Sequence, residues 1–202
     1  MTLDRFRHVA ERALDPFVDA ARTVGLSPDG VSVIAFLLAV AAGGVYAVAA
    51  GQPLLYLVGA ILVFLNGWLD LVDGALAREL NVASSAGDLL DHVLYRYAYL
   101  IIIVGLAAGV GRWALGIVAV TGVLMTSYLG TQAQAVGLDR VYGGALGRAD
   151  RLALVGLVTG VAAFVRPVGL GLNPVGWLLV VFAVVGHITA FQRFYHAMQT
   201  LG

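Results

Sequence analysis

The chemistry in this sequence is concentrated in residues 70–95, "DLVDGALARELNVASSAGDLLDHVLY". Asp70, Asp73, Gly74 and Ala77 stand at i, i+3, i+4 and i+7, the spacing of one helix face. Gly87, Asp91 and Tyr95 repeat every four residues on a second helix, with Asp88 just before Asp91. Two antiparallel helices joined by a short turn would bring these faces together. Three or four carboxylates in a poorly solvated place repel one another, and cannot all stay ionised without a cation. Oxygen-only ligands favour Mg²⁺, Mn²⁺ or Ca²⁺ over zinc. The small residues on the same faces leave room for a bulky ligand to approach the backbone. Arg78, beside them, carries a guanidinium suited to a phosphate. Any one of these acids could instead solvate a helix end or pair with Arg78 or Arg96. As an array inside apolar segments they point to function, because intramembrane acids are expensive.

The elements that must hold these residues are membrane helices. The chain has 202 residues, 60% hydrophobic and 12% charged, with a mean hydropathy of +0.92. That leaves too little polar surface to cover a soluble domain. Cysteine is absent, which excludes disulfides, thiolate metal sites and cysteine nucleophiles. The net charge of zero argues against a nucleic-acid binder, and all 12 basic residues are arginine. The N-terminal region is too charged for a signal peptide, which needs an apolar core of about 7–15 residues.

Residues 1–26 read as an amphipathic helix for the headgroup layer, with Leu3, Phe6, Ala10, Ala13 and Phe17 on its apolar face and a break or fresh start at Asp15-Pro16. "LSPDG" (26–30) turns the chain into the bilayer, and residues 27–202 form the membrane domain. Six spans are expected near 31–50, 54–78, 87–109, 113–135, 150–166 and 174–195. They are helical because the apolar runs are long and do not alternate. With the termini on one side, that side receives Arg5, Arg7, Arg12, Arg22, Arg78, Arg140, Arg148, Arg151 and Arg193; the other receives Arg112 and Arg166. By the positive-inside rule the termini and the acids are cytoplasmic.

The acidic array resembles the signature of the CDP-alcohol phosphotransferase (CDP-alcohol phosphatidyltransferase) family of membrane enzymes. That signature is D-x2-D-G-x2-A-R-x8-G-x3-D-x3-D. The chain matches it at Asp70, Asp73, Gly74, Ala77, Arg78, Gly87 and Asp91, with every spacing intact, and departs at Tyr95. The resemblance implies transfer of a substituted phosphoryl group from a CDP-alcohol to a second alcohol, with release of CMP. It implies Asp70, Asp73 and Asp91 as ligands of two divalent cations, Mg²⁺ or Mn²⁺. Gly74, Ala77, Arg78 and Gly87 would line the CDP site. It also implies a homodimer, and a CDP-lipid donor that reaches the site from the bilayer.

Tyr95 takes the position of the family's fourth aspartate, which is usually assigned as base for the acceptor hydroxyl. A phenol, protonated near neutral pH, is a poor base and a poor metal ligand. Tyrosinate beside a cation, or Asp88 as a substitute, are the alternatives. Asp88 lies seven residues away, about 10 Å along the axis. The departure leaves open a weakly active or inactive member that still binds CDP-lipid and metal.

The remaining polar density lies in residues 127–151. Gln132 and Gln134 end the fourth span. Arg148 and Arg151, at i and i+3, suit a phosphate on a small polar acceptor alcohol, or act as a positive-inside anchor. His92 is a second partner for the metal site or a packing residue, and His187 reads as packing. Trp113 and Trp177 read as interfacial anchors, and Trp68 as packing near the site. A cation transporter is a rival reading. It predicts acids near mid-membrane on several spans, whereas these cluster at one end.

Overall fold

The computed structural model describes residues 7–139, 147–165 and 171–202, without the side chains of residues 7–12 and 148–149. The described residues form helices α1 (Arg7–Thr23), α2 (Pro28–Ala47), α3 (Leu54–Glu79), α4 (Ser85–Gly109), α5 (Trp113–Ala135), α6 (Arg148–Ala162) and α7 (Pro174–Leu201), and contain no strand. Helix starts are set locally by one device used three times. Ser27, Ser84 and Asn173 each accept a hydrogen bond from the N–H of Gly30, Gly87 and Gly176, at 3.1, 3.1 and 2.9 Å. Each thereby satisfies a donor that the first turn leaves without a helical partner. Pro28 and Pro174 follow two of these caps, where a missing N–H does no harm.

Helix α2 packs against α3 and α4, α3 against α6, α5 against α7, and α1 lies on α3. Tyr46, Tyr99, Phe182, Ile102, Leu106 and Leu179 fill the centre of the bundle. The α2–α4 approach depends on glycine, because a Cβ at Gly105 would run into the backbone carbonyl of Gly43. Hydroxyl groups tie other helices together: Tyr46 Oη and Thr159 Oγ1 lie 2.9 Å apart, and Thr126 Oγ1 donates to the Gly186 carbonyl at 2.9 Å. Large apolar side chains cover the outside, among them Phe64, Ile117, Leu157 and Phe191. Such a surface is at home in lipid, where the helices satisfy their own backbone groups. The protein is an all-α integral membrane protein.

Among the described residues five helices, α2, α3, α4, α5 and α7, are long and apolar enough to cross a membrane. Helix α6, at 15 residues, is about 22 Å long against a hydrocarbon core of about 30 Å. Its expected end near 166 falls at the edge of the described residues. One expectation needs correction: helix α1 does not break at Asp15-Pro16 but runs through Pro16. It packs on the bundle through Leu14, Val18 and Ala21, and leaves Ala13 and Phe17 exposed. The buried trio joins Val31, Val72 and Leu76 in one apolar cluster. That contact offsets the backbone hydrogen bond that Pro16 removes, about 3 kcal/mol or more in an isolated helix. Leu3, Phe6 and the side chain of Ala10 lie outside the described residues.

Candidate metal centre

The turn between α3 and α4 brings the acidic faces together. Asn81 adopts φ 53°, the left-handed conformation that asparagine tolerates at a helix C-terminus. The Asn81 N–H then donates to the Arg78 carbonyl at 3.3 Å, and the Val82 N–H to the Ala77 carbonyl at 3.2 Å. This closes α3 with a Schellman motif. Ser84 then caps α4, so the chain reverses within residues 80–84.

Asp70 and Asp73 from α3 and Asp91 from α4 each offer a carboxylate oxygen within 4.8 Å of the others. Asp73 is buried, and Asp70 and Asp91 are half-buried. Two unit charges about 5 Å apart repel by about 3 kcal/mol at an effective dielectric near 20. Three such pairs make the cluster unfavourable as bare carboxylates and receptive to a divalent cation. The donor set is oxygen only, which fits a hard ion.

A cavity beside these acids is lined by Ser32, Asn66, Asp70, Asp73, Asp91 and Tyr95, with Leu152 of α6 among its apolar walls. Asn66 and Tyr95 lie about one helical turn deeper than Asp70 and Asp91, on α3 and α4. Sequence reasoning missed Ser32 and Asn66. The Ser32 hydroxyl donates to Asp73 Oδ2 at 2.8 Å, and Asn66 Nδ2 donates to the Ala35 carbonyl at 2.8 Å. Their signal was available: each is a polar residue inside an apolar run, and such residues commonly bond across helices.

The other expected site residues fall as follows. The Arg78 guanidinium folds back over Gly74, its Nη1 3.5 Å from where a Cβ would stand, and Ala77 is half-buried. Gly87 faces Asp29, and a Cβ on Gly87 would stand 3.3 Å from Asp29 Oδ1. Asp88 stands apart from the three converging acids. Its side chain is 76% exposed and 3.3 Å from His92 Nδ1, and the same nitrogen lies 2.7 Å from the Asp88 carbonyl. His187 bridges α7 to α5 through Thr121 Oγ1 and the Val118 carbonyl. Trp68 stacks on Phe64 and meets the Phe17 ring edge-on.

Tyr95 lines the cavity with its hydroxyl buried. Its ring meets Tyr99 edge-on, with centroids 4.7 Å apart. The Arg151 guanidinium sits over the other aromatic of this pair, 5.3 Å from the Tyr99 centroid. Arg151 is only 7% exposed. It donates through Nε to the Gly147 carbonyl at 3.3 Å, and borders a second cavity with Thr126 and Thr189. The Arg148 side chain lies outside the described residues, so the expected pair is seen only through Arg151.

Fold and donor set together define a helical membrane protein with three converging carboxylates at one end of its bundle, a set suited to a divalent cation. The chain belongs to the CDP-alcohol phosphatidyltransferase family, whose model matches residues 25–189. It is 32% identical over 204 residues to the archaetidylinositol phosphate synthase of Methanothermobacter thermautotrophicus, covering 98% of this chain and 95% of that one. It is 33% identical to the phosphatidylinositol phosphate synthase of Mycobacterium marinum, covering 91% and 79%. The crystal structure of Mycobacterium tuberculosis phosphatidylinositol phosphate synthase with CDP-DAG bound has the same fold, with a TM-score of 0.78 at 24% identity over 92% of this chain and 94% of that one. The same mycobacterial enzyme in complex with manganese and citrate superposes with a TM-score of 0.79, again at 24% identity, over 92% and 88%. The protein is thus a CDP-alcohol phosphotransferase, a metal-dependent transferase of phospholipid biosynthesis.

Proposed function

We propose that the protein transfers a phosphatidyl-type group from a CDP-lipid to an inositol phosphate and releases CMP. The observation that carries the transfer reading is the convergence of Asp70, Asp73 and Asp91 within 4.8 Å, and the inositol phosphate acceptor is drawn from the relatives named for it. Two divalent cations, Mg²⁺ or Mn²⁺, would neutralise the donor pyrophosphate and stabilise the leaving CMP oxygen. Asp70, Asp73 and Asp91 would hold them. Gly74, Ala77 and Gly87 leave space for the nucleotide, with Arg78 beside it for a phosphate. The donor is CDP-diacylglycerol or its ether-lipid analogue, since relatives are named for both lipid classes.

Arg151, a buried guanidinium, would take the phosphate of the acceptor together with Arg148. In the reaction the acceptor oxygen forms a bond to the lipid-bearing phosphorus and the bond to CMP breaks. The hydroxyl proton must leave, and Tyr95 at the cavity wall is poorly suited to take it. This favours a second reading, in which the protein binds CDP-lipid and metal but turns over slowly. The transporter reading gains nothing, because the converging acids of the described residues lie at one end of the bundle.

Residues 1–26 act as an interfacial segment and residues 27–202 as a six-span domain, with the short helix α6 as one of its spans. The termini and the site face the cytoplasm, as the arginine distribution favours, and the protein works as a homodimer. The test is CMP release from both CDP-lipids, with inositol phosphate, free inositol, glycerol phosphate and serine as acceptors. Turnover confined to inositol phosphate, abolished by EDTA and by Asp91→Asn, supports the proposal. Turnover with an unphosphorylated acceptor alone would overturn the acceptor assignment.

A further inference from the structure

We propose that Ser32 is a positioning residue for the metal centre: its hydroxyl holds the Asp73 carboxylate so that one oxygen remains directed at the ion. This rests on the reading that Asp70, Asp73 and Asp91 bind a divalent cation. Serine has one hydroxyl proton to give, and two acceptors lie near it. Asp73 Oδ2 is 2.8 Å from Ser32 Oγ and the Pro28 carbonyl is 3.2 Å away. The proton belongs to the carboxylate, because the closer bond is also the charge-assisted and stronger one. Ser32 and Asp73 are 8% and 7% exposed. With so little of either residue exposed, a carboxylate that loses this hydrogen bond is costly. The bond to Oδ2 therefore fixes the rotation of the Asp73 carboxylate, and with it the lone pairs that face the shared site.

The packing around the pair locks this geometry. Ser32 follows Val31, and Asp73 follows Val72. Both valines are almost fully buried in the cluster that includes Leu14, Val18 and Ala21 of α1. The backbones bearing donor and acceptor are thus clamped on either side of their hydrogen bond. Helix α1, far from the acids in sequence, contributes to that clamp.

The experiment is Mn²⁺ binding to the full-length protein in detergent, followed by electron paramagnetic resonance and by thermal shift. Loss of a hydrogen-bonding partner of a metal ligand typically weakens binding about 10–100-fold. Ser32→Ala should raise the Mn²⁺ Kd by that factor, and Ser32→Thr should restore it. Ser32→Cys, close in shape but a weaker donor, should fall between them. Tyr46→Phe is the control, since it removes a different buried hydrogen bond of α2, to Thr159. It should lower thermal stability without changing the Mn²⁺ Kd. Wild-type affinity in Ser32→Ala, or in Ser32→Cys should the alanine variant not fold, would overturn the proposal. So would an equal loss of affinity in Tyr46→Phe. A wild-type protein that binds no Mn²⁺ would instead remove the metal reading itself, and this inference with it.

Discussion

Replacing Tyr95 with aspartate gives the sharpest test of how this chain departs from its family's pattern. Tyr95→Asp restores a carboxylate one helical turn, about 6 Å, beyond Asp91. Without metal the change should destabilise the protein. A new charge about 6 Å from Asp91 repels it by about 3 kcal/mol at an effective dielectric near 20. The edge-to-face contact with Tyr99 is lost as well, worth about 0.5–1.5 kcal/mol. With metal the sign reverses, because a fourth acid strengthens cation binding. The apo variant should melt below wild type, and saturating Mn²⁺ should raise its Tm by more than it raises that of wild type. A site occupied at 100 times its Kd contributes about 2.7 kcal/mol, so tighter binding in the variant widens the shift. Turnover is read as CMP release from CDP-lipid and inositol phosphate. General-base assistance is typically worth about 10²–10⁴-fold, so the variant should gain by a comparable factor while its apparent affinity for CDP-lipid changes less. Robust turnover in the wild type, lost on Tyr95→Asp and retained in Asp88→Ala, would refute the reasoning and make the phenol the working group.

Arg151→Ala should raise the KM for the phosphorylated acceptor at least tenfold while leaving the KM for CDP-lipid within about threefold, the scale of one charged hydrogen bond lost, ~1.5–3 kcal/mol. Equal loss for both substrates in steady-state kinetics would mark Arg151 as a structural anchor. Gly105→Ala should lower stability by about 1–3 kcal/mol through overpacking against the Gly43 backbone, measured as the Tm in detergent. A neutral result would mean that α2 and α4 have room to separate.

What the sequence determined by itself is whatever depends on neighbours along one helix. The 3.6-residue repeat places Asp70 beside Asp73 and Asp91 beside Tyr95 on their faces whatever surrounds them. Hydropathy makes the runs membrane helices for a similarly local reason, since each must satisfy its own backbone groups. The caps at Ser27, Ser84 and Asn173 are equally local. The tertiary structure decided what depends on contacts between helices. Ser32 and Asp73 are 41 positions apart, and no periodicity links them; only the packing of α2 on α3 does. Arg151 carries the same charge wherever it stands, and only the packing shows that it is buried over the Tyr99 ring. In α1 the pattern suggested a break at Pro16. Docking of Leu14, Val18 and Ala21 on Val72 and Leu76 carries the helix through the proline, because the buried apolar contact outweighs a local preference worth a few kcal/mol.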